Sequence, residues 1–180
     1  MKTSRAATTT FRLFLLATTA ALLLAACSPP PDPRTAPISA ATPDDFAAWK
    51  AAADEKFSAA ERDEFEQCIN QIRLGIRTRN EAGADSDAVA QALCGRINAK
   101  TVREVLLMAY TSETEWIPKE LERQRATLAQ VDARLDGPGS EDSKAGPRAF
   151  RVSVAGAIDN LEARLAKARA RLEELQKDAP

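Results

Sequence analysis

Residues 117–135, IPKELERQRATLAQVDARL, and residues 154–175, VAGAIDNLEARLAKARARLEEL, decide the fold. In the first stretch Ile117, Leu121, Gln124, Leu128, Val131 and Leu135 recur at alternating steps of four and three. In the second, Val154, Ile158, Leu161, Leu165, Ala168, Leu172 and Leu175 do the same. That spacing returns each side chain to one stripe of an α-helix, the pattern of a coiled-coil seam. Between the stripes lie Asp136-Gly137-Pro138-Gly139 and a polar stretch to Pro147. The two helices are therefore predicted to fold back on each other as an antiparallel coiled-coil hairpin over residues 113–177. Facing residues in such a hairpin have numbers of constant sum. Leu135 with Phe150, Val131 with Val154, Leu128 with Ile158, Gln124 with Leu161, Leu121 with Leu165 and Ile117 with Ala168 satisfy this within one residue. Gln124, polar in an apolar seam, reads as a device for fixing register. Extending the register sets Glu113 opposite Leu172 and Tyr110 opposite Leu175. A parallel dimer is the competing use of the same seam.

Upstream, the chain between residues 44 and 112 reads as a small helical domain. Its first helix opens at Thr42-Pro43-Asp44-Asp45, with Thr42 as N-cap, Pro43 at the first helical position and carboxylates at the positive end of the dipole. Phe46, Trp49 or Lys50, Ala53 and Phe57 form its inner face. Trp49 has the spacing of a core residue, with a binding hot spot as the alternative. Ser58 with Glu61 makes a capping box for a second helix, which places Phe65, Cys68, Ile69, Ile72 and Ile76 on one side. A turn-rich break from Asn80 to Ser86 follows. A third helix from about Asp87 to Asn98 turns Val89 or Ala90, Leu93, Cys94 and Ile97 inward. Thr101 with Glu104 caps the next helix. It either runs on through Pro118 with a kink or breaks near Ser112–Glu115 and restarts with Pro118 in its first turn.

Composition agrees with an all-α reading. Aromatic residues make up 5% of the chain, and no alternating run of Val, Ile, Thr and aromatics marks a strand. A net charge of −1, with both signs interspersed, provides no basic stripe and predicts no nucleic-acid partner. There is no histidine, no metal-ligand spacing, no phosphate-cradling glycine loop and no Gly-x-Ser-x-Gly elbow. No catalytic residue, metal or cofactor is expected, and the chain is not read as an enzyme.

Cys68 and Cys94 fall on the apolar faces of neighbouring helices joined by a short turn. In an oxidising compartment a disulfide between them is expected to staple the domain, contributing about 3–4 kcal/mol in the chain-entropy model. The alternative is a reactive thiol. It is disfavoured because the chain has no histidine base and the pair lacks the Cys-x-x-Cys spacing.

The compartment is read from the N-terminus. Lys2, Arg5 and Arg12 precede an apolar run from Leu13 to Ala26, too short to span a bilayer and of the form of an export signal over residues 1–26. The run ends in Leu24-Ala25-Ala26-Cys27, which resembles the lipobox of bacterial lipoproteins. The resemblance implies cleavage before Cys27, a diacylglyceryl group on its sulfur, and anchoring through two or three acyl chains. A plain secretory signal with Ala-x-Ala cleavage is the alternative. Ser28, where Asp would favour inner-membrane retention, points to the outer membrane with the chain facing the periplasm. Residues 27–43 carry Pro29, Pro30, Pro31, Pro33, Pro37 and Pro43 and read as an extended tether of some 40–50 Å in polyproline form.

Glu64-Phe65, Ile69 and Ile72, together with Lys100-Thr101-Val102-Arg103-Glu104-Val105, resemble the YiiG-like family of small bacterial lipoproteins over about residues 44–110. The resemblance implies a lipid-anchored helical fold with no assigned activity. Ala99 departs from it, standing where that family tends to have Gly, and the chain after Tyr110 is extra. Two functions are expected to compete. One is a structural or interaction lipoprotein that docks on an envelope protein or on a second copy of itself. The other is an immunity or inhibitor lipoprotein that binds a toxin or hydrolase. The sequence leaves the oligomeric state open.

Overall fold

The structure, a computed structural model, describes residues 31–79, 81 and 85–177. Among them the chain is all-helical: α1 (Pro43–Asp54), α2 (Ala59–Thr78), α3 (Ser86–Ile97), α4 (Val102–Asp136) and α5 (Glu141–Lys177). No described helix is long and apolar enough to cross a membrane.

Helix starts follow the caps. Thr42 accepts the Asp45 N–H while the Asp45 carboxylate accepts the Thr42 N–H, and Ser58 with Glu61 and Thr101 with Glu104 repeat the exchange. Each box satisfies two donors that a helix N-terminus otherwise leaves unpaired. α3 starts at Ser86 on the Asp85 side chain, and Val89, not Ala90, is its buried residue.

The body core gathers Phe46, Phe65, Ile69, Ile76, Leu93, Ile97, Val105 and Ala109. Trp49 is half-buried, stacked near Phe46 at 6.2 Å and tilted on Phe65 at 5.7 Å, so it belongs to the core margin. Lys50 is half-buried beside it, paired with Asp54 and Glu66.

The tether expected over residues 27–43 is not unpacked in its described part: from residue 31 on, residues 33–35 form a turn and the chain packs on the body. Ile38 and Ala40 are fully buried in the body core. The Ile38 N–H donates to the Lys100 carbonyl at 2.7 Å, its carbonyl accepts the Ala99 N–H at 2.9 Å, and the Ala40 N–H donates to Asn98 Oδ1 at 2.9 Å. Arg34 pairs with Glu61 at 2.8 Å and lies 5.7 Å from the Phe57 ring centre. Proline fixes an extended backbone, and an extended backbone offers its donors and acceptors to any partner strand or loop; here the α3–α4 connection takes them. That connection contains Ala99 at φ 61°. The left-handed conformation costs a non-glycine residue about 1–2 kcal/mol and is the usual glycine position after a helix, which gives a physical reason for a Gly there.

The disulfide expected between Cys68 and Cys94 is absent: both are free, buried thiols. Their environments differ. Cys68 is turned toward Tyr110, Glu64, Glu113 and Arg171, on the side of α2 that meets α4 and α5, whereas Cys94 feels Asp45 and Arg73. Two cysteines on the apolar faces of adjacent helices can thus share one core without being bonded.

α4 is continuous through Pro118. Pro118 is exposed between buried Ile117 and Leu121, so packing on both sides holds the turn that lacks its hydrogen bond. α4 and α5 lie side by side and run in opposite directions. Asp132–Arg151 and Arg125–Glu162, each at 2.6 Å, tie them near the Gly137–Ser140 link, and Arg103 donates to the Leu175 carbonyl at the far end. The polar stretch to Pro147, read as loop, is helical because Ser140 caps Ser143 and Glu141 and Asp142 face the dipole. Lys144 and Pro147 are half-buried at the tip, and Phe150, expected to close the seam against Leu135, is 52% exposed. Gln124 donates to Glu120 of its own helix at 2.7 Å. Nor is the boundary at residue 112 a division. Pro33–Pro180 form one compact unit, and Ala168, Leu172 and Leu175 of α5 close the body core.

Candidate binding groove

Helix α2 continues past its buried stripe with Gln71, Leu74 and Gly75 on a second face. Met108, Ala109 and Trp116 of α4 and Arg164 of α5 stand across from it, enclosing a groove of about 410 Å³. Its floor is Ile72, Met108 and Ala109. Two large apolar side chains stay in solvent at its margin, Leu74 at 60% and Trp116 at 39% exposure. A clustered apolar surface of this kind marks a contact site more often than scattered exposed residues do.

The groove's polar wall is built on Glu113, which is 5% exposed. One oxygen, Oε1, accepts both Gln71 Nε2 and Arg164 Nη2 at 2.6 Å. Burying a carboxylate is costly unless it is paired, and these two donors supply the pairing. The same bond fixes Arg164 with its guanidinium 5.6 Å from the Trp116 ring centre. Gln71 Oε1 is buried and accepts no hydrogen bond from the described protein. At the α3 side Arg79 and Arg96 both bind Glu81, and the Arg79 hydrogen bond in particular holds that carboxyl below the usual range. The groove margin thus sets three guanidiniums against two carboxylates.

A second polar cluster locks the three long helices together. Glu64 accepts Tyr110 Oη at 2.9 Å and Arg171 Nε at 2.7 Å, and Arg171 also holds Glu174 at 2.8 Å. Burial and the bond to Glu64 push the Tyr110 hydroxyl's pKa up. Burial, with Glu64 and Glu113 nearby, pushes the Cys68 thiol up to about 12. At neutral pH that sulfur is protonated, which suits packing and not nucleophilic attack.

Of the site residues expected from sequence, Cys27 lies outside the described residues, and Cys68 and Cys94 are separate thiols within the core. Sequence reasoning did not identify Gln71, Glu113, Trp116 or Arg164 as a group. One signal was present: Glu113 occupies an otherwise apolar helical stripe, in step with Tyr110 and Ile117. Its partners are distant in sequence, 42 residues away at Gln71 and 51 at Arg164. No group of three or more metal-ligating side chains occurs among the described residues. No protein-family model, curated protein or solved structure matches the chain.

Proposed function

We propose that this chain is an envelope lipoprotein, lipidated at Cys27 and held at the outer membrane facing the periplasm, whose helical body recognises a protein partner through the α2–α4–α5 groove. The observation that carries the recognition part is the pairing of half-exposed Trp116 with Arg164 beside exposed Leu74. Trp and Arg are the residue types in which interface energy concentrates, and here Arg164 is pre-positioned beside Trp116 by its bond to buried Glu113. The address rests on the lipobox-like Leu24-Ala25-Ala26-Cys27. The α4–α5 pair is read as an intramolecular coiled coil that serves as a rigid mount for Arg164 and Trp116.

An immunity or inhibitor role is the second reading. It is favoured by the Trp116–Arg164 pair, which would suit a toxin or hydrolase surface as well as an envelope partner.

Two measurements test the proposal. Mass spectrometry of the mature N-terminus is expected to find acylated Cys27, lost in Cys27→Ser; an unmodified soluble protein overturns the anchor. A photo-crosslinking residue at Leu74 is expected to capture a discrete protein in cells, while the same residue at exposed Ala129 does not. Equal capture at both positions, or none, overturns recognition through the groove. The identity of the captured protein separates envelope partner from toxin.

A further inference from the structure

The segment Pro33–Ala40 joins the body as an edge piece. Around Ile38 its residues alternate as in a strand, with Ile38 and Ala40 buried and Pro37 and Ser39 exposed. Ile38 meets the α3–α4 connection through both of its backbone groups, its N–H on the Lys100 carbonyl and its carbonyl on the Ala99 N–H, and the Ala40 N–H reaches Asn98 Oδ1. Toward its other end Arg34 donates to the Glu61 carboxylate and to the Lys56 carbonyl, each at 2.8 Å.

Three observations set this segment apart from the five helices. The helix that follows has a start of its own: Thr42 and Asp45 satisfy each other's N–H groups, and Ala41, between segment and helix, is exposed. Its partners in the connection also face water, since Asn98 and Ala99 are exposed, so the groups freed by release are hydrated and not left buried and unpaired. Finally, Ala99 is the donor to the Ile38 carbonyl and stands at φ 61°, a left-handed backbone that is strained for alanine.

We infer that Pro33–Ala40 is a detachable strap, which leaves the body as a unit about Ala41 while α1 to α5 stay folded, and that Ala99 relaxes when it leaves. Docking draws on the burial of Ile38 and Ala40 and on the ties of Arg34; release draws on hydration of the freed backbone and on the strain at Ala99. Pro33 and Pro37 keep the released chain extended, so at about 3.1 Å per residue the stretch 33–41 becomes roughly 28 Å of tether. In a chain anchored at Cys27 the strap thus gives the body a short and a long reach from the lipid surface. That consequence rests on the anchor reading, whereas the strap itself does not.

The test is native-state amide exchange of the full chain in detergent micelles over a series of low urea concentrations. The Ile38, Ala40 and Ala99 amides are expected to share one opening, about a hundredfold or more less protected than Ile69 and nearly insensitive to urea, because a local release exposes little surface. If these three exchange in step with Ile69 and with the same urea dependence, they open only with the whole body and the strap is overturned. Ile38→Asp is expected to abolish protection at Ala40 and Ala99 while Ile69 and Lys50 of α1 stay protected; loss of protection throughout overturns the strap as well. Ala99→Gly is expected to raise protection at Ile38 and Ala40 by about two- to fivefold, and no change there overturns the part assigned to Ala99. The reach is read on phosphatidylethanolamine–phosphatidylglycerol vesicles, by energy transfer from a dye at exposed Ala129 to a labelled lipid. Transfer is expected to fall in Ile38→Asp, and equal transfer overturns the change of reach. An unmodified Cys27 overturns that consequence alone, whereas failed exchange with Cys27 acylated overturns the strap and leaves the anchor standing.

Discussion

The body and the outer part of the α4–α5 pair are equally helical, yet they are held together by different means. In the body, Phe65 is 2% exposed and contacts the rings of Trp49 and Phe57, and around it side chains converge from the Pro33–Ala40 segment and from all five helices. Its ties join residues far apart in the chain, as when Arg171 reaches Glu64 across 107 positions. The outer pair is held by one seam of Ile117, Leu121, Val154, Ile158 and Leu165, with Leu128 and Leu161 half-buried, and by local ties such as Arg151 to Asp132, 19 positions apart. The difference teaches that the outer pair is organised by helical periodicity and a short link, whereas the body exists only when distant segments close on it. Regions with one buried seam open locally at lower free energy than a multi-sided core.

The largest effect is expected from Phe65→Ala, which should remove about 3–5 kcal/mol of global stability in equilibrium denaturation. Ile158→Ala should cost less, about 2 kcal/mol, and should appear mainly as lost amide-exchange protection between residues 120 and 160 while α2 keeps its own. If Ile158→Ala lowers protection in α2 by the same amount, the two regions are one cooperative unit and the contrast fails.

Pro118→Ala sharpens the comparison at the place where the regions meet. An interior proline costs an isolated helix about 3 kcal/mol, part of which packing of Ile117 and Leu121 already offsets. A gain of about 1–2 kcal/mol is expected, read as a higher thermal midpoint and slower exchange at the neighbouring amides. Destabilisation by this change would mean that α5 packs on a bend that only proline maintains.

The smallest effect concerns the docked N-terminal segment. Arg34, with the Ser58 cap behind it, holds the Glu61 carboxyl at about 2, below its usual 4.5. A carboxylate with a depressed folded pKa contributes stability above its unfolded pKa and loses it as pH falls through the folded one, here between about 4.5 and 2. Both groups are about two-fifths exposed, so solvent screening keeps the contribution below about 1 kcal/mol. Arg34→Ala should therefore lower stability slightly at pH 7, by an amount that shrinks as pH falls from about 4.5 toward 2. A gap that persists unchanged to pH 2 would assign the effect of Arg34 to its packing on Phe57.

Legibility followed the range of the interactions. The capping boxes of Ser58 with Glu61 and Thr101 with Glu104 were readable because donor and acceptor sit three residues apart, at Thr42 only the N-cap itself was read, and the buried stripe of α2 was readable because one helical period repeats within it. The tip register was not, because it depended on whether residues 141–147 formed loop or helix. That turns on one serine cap, and Phe150 beyond it is exposed instead of buried. The stretch of prolines was read as extended, unpacked chain; in its described part residues 33–35 form a turn and Ile38 and Ala40 pack in the core, since φ restriction says nothing about what lies alongside.

By itself, the sequence determined that the described chain is helical, where most helices begin, and which side chains turn inward; these are properties of single segments, set by periodicity and local hydrogen bonds. Only the tertiary structure decided which inward faces meet. It placed Cys68 and Cys94 in different surroundings, seated Ile38 beside Ala99 at the cost of a left-handed backbone, and joined Gln71, Glu113 and Arg164 around one carboxylate oxygen. The physical reason is that apolar faces are interchangeable in a sequence, because burial is non-directional. Contacts between segments 40 to 100 residues apart are selected instead by shape and by the requirement that every buried charge find its partner.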